Sequence, residues 1–192
     1  IICRMGARIR RGEEAPTTEA VAKLGMPILR TIHGEGIMEG GSFAFITPKI
    51  AVVGISSRVN EEAARQIEEV LRVQGVELLR VHLTGYRLHI DGAFVMIDVA
   101  TAIINPVQLP FWFLQKLKEL KINCIEVHPD DPAWTVNCLA VAPGRVLMAD
   151  ARITYNQYVR LMIGEALEYL AQLVCSVCGY SHNSPRALWV AE

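Results

Sequence analysis

The stretch from Gly41 to Leu83, GSFAFITPKIAVVGISSRVNEEAARQIEEVLRVQGVELLRVHL, decides the fold. Phe43–Ile46 reads as a strand, Pro48 sits in a turn, and Ile50–Ile55 reads as a second strand. Asn60 then offers a side-chain oxygen as an N-cap, and Glu61 and Glu62 place negative charge in the first helical turn. Ala63, Ile67, Val70 and Leu71 recur at helical spacing. Gly75 supplies a stop, and Val76–Leu83 is a third strand. The order is strand, turn, strand, helix, strand.

The same order returns twice. In Gly92–Pro129, Ala93–Ile97 and Ala102–Ile104 read as strands, Pro110 opens a helix over Phe111–Leu120, and Cys124–Val127 closes the unit. A third copy begins near Asn137, with strands Cys138–Val141 and Arg145–Met148 about a Pro143-Gly144 turn and a helix expected within Asn156–Leu170. The copies start roughly 45–50 residues apart, in the range of propellers and solenoids. Each unit holds apolar strands that need cover on both faces and one amphipathic helix. Packing such units about a common axis makes an αβ propeller. An α+β domain without symmetry is the plainer alternative.

Composition removes several classes of function. The 192 residues are 52% hydrophobic and 20% charged, which excludes a disordered chain. Lys+Arg total 19 and Asp+Glu total 20, a net charge of −1, which argues against a phosphate-backbone binder. The charge-free stretch Val99–Gln115 is cut by Pro106 and Pro110, and Tyr169–Pro185 is polar and short, so no membrane partner is expected. Ile1–Ala7 runs at once into Arg8, Arg10 and Arg11, unlike a signal peptide. Five cysteines at irregular spacing fit free thiols and a cytoplasmic setting. Cys3, Cys124 and Cys138 lie in apolar strands and read as core.

In a propeller the segments that enter successive units meet at one end of the axis. Entering the first is Met38-Glu39-Gly40-Gly41-Ser42, where two glycines allow a tight turn that holds Glu39 inward. Entering the second is Leu88-His89-Ile90-Asp91-Gly92, where strand alternation puts His89 and Asp91 on one face. Trp134–Asn137 enters the third, and one further repeat length lands at Cys175-Ser176-Val177-Cys178. A carboxylate, a His/Asp pair, an amide and a thiol suit one chemistry. Carboxylates accept the N–H groups of a planar guanidinium. A thiolate attacks its central carbon, and an imidazole protonates the departing amine and then activates water. Each residue also has a plainer reading. Glu39 can be a solvated turn residue, His89 a hydrogen-bonded structural histidine, and Asn137 a turn residue. Cys175 and Cys178 can be inert buried thiols or, with His182, a zinc or redox site.

These entry segments resemble the arginine deiminase, dimethylargininase and amidinotransferase superfamily, the guanidino-group-modifying enzymes of pentein fold. The resemblance runs from about Ile2 to Met148, roughly three quarters of the chain. It is carried by Arg10-Arg11-Gly12-Glu13, Met38-Glu39-Gly40-Gly41, Gly54-Ile55-Ser56-Ser57-Arg58-Val59-Asn60, His89-Ile90-Asp91-Gly92-Ala93-Phe94-Val95-Met96-Ile97-Asp98, and Asn137-Cys138-Leu139-Ala140-Val141-Ala142-Pro143-Gly144. It implies an α+β chain of ββαβ units that forms part of a five-bladed αβ propeller. Residues 1–192 would be a single pentein-type domain lacking the N-terminal blades, family-like over 1–148 and divergent over 149–192.

The resemblance also implies roles. His89 matches a general acid/base, Glu39 and Asp91 match carboxylates around the guanidinium and the histidine, and Arg58 matches a partner of the substrate's carboxylate. Cys175 or Cys178 is the candidate nucleophile. The chain departs from the pattern where a Glu-Gly-Gly-Asp motif ends here in Ser42, and where Ala171-Gln172-Leu173-Val174 replaces a Gly-rich, His-containing loop before the cysteine. The implied enzyme is cofactor-free, uses no metal, and hydrolyses arginine or a methylated arginine, or transfers its amidino group, through a covalent Cys–amidino intermediate. Its partner is a small guanidino molecule, with a homo-oligomer possible because an open propeller exposes strand edges. A non-catalytic pentein that binds a partner is the alternative from another class.

Overall fold

The structure, a computed structural model, describes residues 1–131 and 135–148. The helix expected within Asn156–Leu170, and Cys175, Cys178 and His182, lie outside the described residues.

The first repeat unit folds as its sequence dictates. Strand β1 (Phe43–Thr47) pairs antiparallel with β2 (Ile50–Ile55), and β2 pairs parallel with β3 (Glu77–His82). Helix α2 (Glu61–Val73) makes the crossover between the parallel strands, α1 (Glu14–Lys23) having come before. Asn60 caps α2, its Oδ1 accepting the Ala63 amide at 3.0 Å. At the other end Gly75 takes a left-handed φ of 67°, and the amides of Gly75 and Val76 return to the carbonyls of Arg72 and Leu71. This double return is the Schellman stop, and glycine takes its backbone angle without a Cβ clash.

Central position explains the composition of β2. Ala51, Val52 and Val53 are fully buried, because both faces of the strand are covered. One face meets Ala63, Ala64, Ile67 and Leu71 of α2, together with Ile32, Met38 and Val59. Truncating a side chain such as Ile67 here costs about 2–5 kcal/mol, the loss of transfer free energy plus a cavity.

The second unit repeats the plan. Strands β4 (Phe94–Asp98) and β5 (Thr101–Ile104) are antiparallel, α3 (Phe111–Glu119) follows, and β6 (Asn123–Glu126) is parallel to β5. The third begins as an antiparallel hairpin, β7 (Cys138–Ala142) and β8 (Arg145–Met148). All three hairpins shift register on the strand before the turn, at Phe45/Thr47, Met96/Asp98 and Ala140/Ala142. A shared bulge at equivalent positions marks the units as copies of one motif.

Two compact units emerge from the packing. The first comprises Ile1–Asp91 and Val107–Leu114; the second comprises Gly92–Pro106 and the described residues from Gln115 onward. The second has its own core of Ile97, Ile103, Val127, Val136 and Val146. Cys124 and Cys138 are half-buried rather than core, as is Cys3, which packs against the first core from an irregular segment. Helix α1 has no buried residue, which is why no apolar period announced it.

Candidate active site

Every side chain in this cluster belongs to the first compact unit. At its centre is Glu39, only 2% exposed. The backbone delivers it on an extended residue just before a 3₁₀ turn, Gly40–Ser42, which leads into β1. Oε1 accepts the Ala7 amide at 3.0 Å and Arg58 Nη1 at 3.0 Å. Oε2 accepts Arg10 Nη1 at 3.2 Å and faces His89 Nε2 at 2.8 Å. Burial alone would raise the Glu39 pKa. The Ala7 amide, the Arg58 guanidinium and His89 outweigh it and lower the carboxyl from 4.5 to about 2.

That ionised carboxylate fixes the imidazole. It can only accept, so the ring nitrogen facing it is the protonated one, Nε2–H. In the neutral ring Nδ1 therefore carries the lone pair.

His89 itself is held by the turn that follows it. Ile90–Gly92 is a 3₁₀ helix, not the strand whose alternation was expected to align His89 with Asp91. Both side chains still converge on Gly41, by a different route. A Cβ built on Gly41 would overlap the Asp91 carboxylate and lie 3.3 Å from His89 Cγ, so Gly41 is the floor on which both rest. Between them Ile90 is 1% exposed and packs on Gly54 of β2, where a Cβ would come within 2.9 Å of Ile90 Cβ. Gly41 and Gly54 thus let two loops approach more closely than any larger residue would allow.

The structure brings Glu39, His89, Asp91 and Arg58 into one cluster and adds Arg10, whose Nε and Nη2 also grip Glu13 at 2.8 Å each. Sequence reasoning assigned Arg10 no role, although it stands in a quoted motif. Its sequence signal was a charge run, which by itself reads as a solvated face. Arg58, matched by resemblance to a substrate carboxylate, spends Nη1 on Glu39. Asn137 is exposed in the second unit. Among the described residues no group of three His, Cys, Asp or Glu side chains is placed to hold a metal ion. No helix among them is long and apolar enough to cross a membrane.

Two ββαβ units and the hairpin that opens a third, with a buried acid and a histidine at the first two entrances, define a chain of pentein fold. Solved structures place it further. The chain is similar to DDAH from Pseudomonas aeruginosa, solved as a cysteine-to-serine mutant complexed with citrulline, at 24% identity and a TM-score of 0.63, covering 88% of this chain and 59% of that one. It is similar to a dimethylarginine dimethylaminohydrolase adduct with S-methyl-L-thiocitrulline at 25% identity and TM-score 0.62, covering 90% and 60%. The N-terminal domain of ArgZ, an arginine dihydrolase from the ornithine–ammonia cycle in cyanobacteria, superposes with TM-score 0.67 at 18% identity, covering 89% and 59%. In fold the chain is similar to these pentein-superfamily enzymes, and it spans about three fifths of the length of these solved chains. No protein-family model and no curated protein matches it.

Proposed function

We propose that the chain carries the acid/base half of a guanidino-modifying active site that hydrolyses arginine or a methylated arginine. The observation that supports this most is the 2.8 Å contact of His89 Nε2 with the buried, ionised Glu39. A histidine so oriented has its tautomer set before substrate arrives, which is the preparation a general acid/base needs. Fold similarity to dimethylarginine dimethylaminohydrolase and arginine dihydrolase supports the substrate class.

In this reading the thiol of Cys175 or Cys178 gives its proton to His89 Nδ1, and the thiolate so formed bonds to the guanidinium carbon. The C–N bond to the leaving amine then breaks, and His89 Nδ1 gives the amine its proton. Water adds to the Cys–amidino carbon as His89 takes a proton back, and the C–S bond breaks to release the thiolate and a ureido product. Asp91 faces the guanidinium, and Glu39 holds the histidine. Both Glu39 oxygens already accept two donors each, so its task is orientation rather than capture of substrate. Arg58 keeps a second guanidinium nitrogen with which to meet a substrate carboxylate.

The test is incubation with arginine, asymmetric dimethylarginine and agmatine, with assay of ureido product, beside titration of thiols with a chloroacetamidine reagent. Product from one substrate and loss of one thiol are expected. No product and no thiol loss overturn the reading in favour of a pentein that binds without turnover.

A further inference from the structure

One backbone oxygen ties the cluster together. The carbonyl of Leu88, the residue before His89, accepts the Ser56 hydroxyl at 2.6 Å and the Ser42 hydroxyl at 3.4 Å. Ser56 Oγ in turn accepts the Arg58 amide at 3.0 Å. A serine hydroxyl has one proton and two lone pairs, so Ser56 can accept from Arg58 and donate to Leu88 at once. Ser42 is fully buried, and its amide closes the 3₁₀ turn on the Glu39 carbonyl at 3.1 Å.

The bonds make a closed ring. From Glu39 it runs to the His89 ring, back one residue to the Leu88 carbonyl, across to Ser56, along the chain to Arg58, and through the guanidinium to Glu39 again. Ser42 braces that ring from the segment that carries Glu39 itself. The loops bearing the acid, the arginine and the histidine therefore share one acceptor, and both lone pairs of that acceptor are used.

We propose that Ser56 and Ser42 are positioning residues for His89, holding its imidazole on Glu39 through the Leu88 carbonyl. The inference rests on the reading of His89 as the proton-carrying group. Ser42 stands where the motif has an aspartate, and the geometry gives that difference a physical meaning. An ionised aspartate has no proton to donate to a carbonyl. In this chain the position supplies a hydrogen bond to the histidine loop, and restoring the acid removes it.

The experiment uses the full chain and the variants S56A, S56T, S42A, S42T and S42D, with S57A as control, since Ser57 is exposed and precedes Arg58 without joining the ring. Long-range ¹H–¹⁵N spectra report the His89 imidazole, thermal unfolding reports the fold, and turnover with the best guanidino substrate is split into kcat and KM. S56A is expected to shift or broaden the His89 ring signals and to lower kcat roughly tenfold with little change in KM, as a small misplacement of a catalytic group does. S56T, which keeps the hydroxyl, restores both readouts. S42D is no better than S42A. Unchanged ring signals in folded S56A and S42A overturn the proposal, and so does S42D outperforming the parent. If S56A does not fold, S42A against S42T decides by the same signals. If no substrate is turned over, the proposed function fails, but the ring signals still decide the positioning role.

Discussion

The entrances to the first and second repeat units use one backbone device for opposite chemistry. In the first, Glu39 precedes a 3₁₀ turn of Gly40, Gly41 and Ser42. In the second, His89 precedes a 3₁₀ turn of Ile90, Asp91 and Gly92. The backbone plan is shared, and the side chains diverge by job. The first turn is made of small residues, so the second can settle on it, with Asp91 and His89 against Gly41. The second turn carries Ile90, which anchors it in apolar surroundings beside Gly54. A duplicated element thus yields a complementary pair when one copy becomes the floor and the other the occupant.

The largest effect expected comes from the occupant. His89→Ala should lower kcat by about 10²–10⁴, the usual worth of a general acid/base, with the fold intact by circular dichroism. Retained activity would reduce the two entrances to a structural pair.

Next is the buried carboxylate. Glu39→Gln leaves Arg58 and Arg10 beside a neutral amide that cannot balance them, and should cost about 3 kcal/mol in urea unfolding. The pH dependence has a definite sign. Glu39 has a folded pKa of about 2 against 4.5, so its stabilisation is complete above 4.5 and is lost as pH falls toward 2. Glu62, also lowered to about 2 by Arg65 and Gln66, titrates in the same window. The parent minus Glu39→Gln difference therefore isolates the Glu39 part, and a difference that does not shrink on acidification would refute the burial of an ionised Glu39.

A smaller effect tests the floor. Gly41→Ala pushes on Asp91 and His89, and the short Asp91 side chain has little slack. Activity should fall roughly tenfold while stability changes by less than about 1 kcal/mol. Equal losses of both would mean that the turn itself breaks.

The smallest compares the helix stops. Helix α2 ends on Gly75, whereas α3 ends on Lys121, which takes a left-handed φ of 57° and returns its amide and that of Ile122 to Lys118 and Leu117. The two ends share a Schellman geometry, but only glycine adopts it without strain. Gly75→Ala should cost about 1 kcal/mol and Lys121→Gly should gain about half that, read as opposite shifts in thermal midpoint.

Much of this was legible in the chain. The ββαβ order, the Asn60 cap, the Gly75 stop and the hairpin turns all rest on local signals, and the structure has them within a residue or two. Glu39, His89 and Asp91 could be picked because repeat spacing located the entrances. The turn at Ile90–Gly92 was missed because three residues hold too little pattern to separate a 3₁₀ turn from a strand. Arg10 and the serine ring were hidden for another reason. Their meaning lies in partners 29 to 46 residues away, and no periodicity encodes such a contact.

The contact between Glu39 and His89 spans 50 positions of chain. Closing a loop of that length is entropically costly, so the contact is expected to form after β1, β2, α2 and β3 have packed between its ends. On that expectation the Glu39–His89 contact is an end product of assembly rather than a nucleus for it. Glu39→Gln should consequently speed unfolding while leaving refolding nearly untouched. The long chain separation thus ties the geometry of the Glu39–His89 contact to the docking of the loop that bears the histidine.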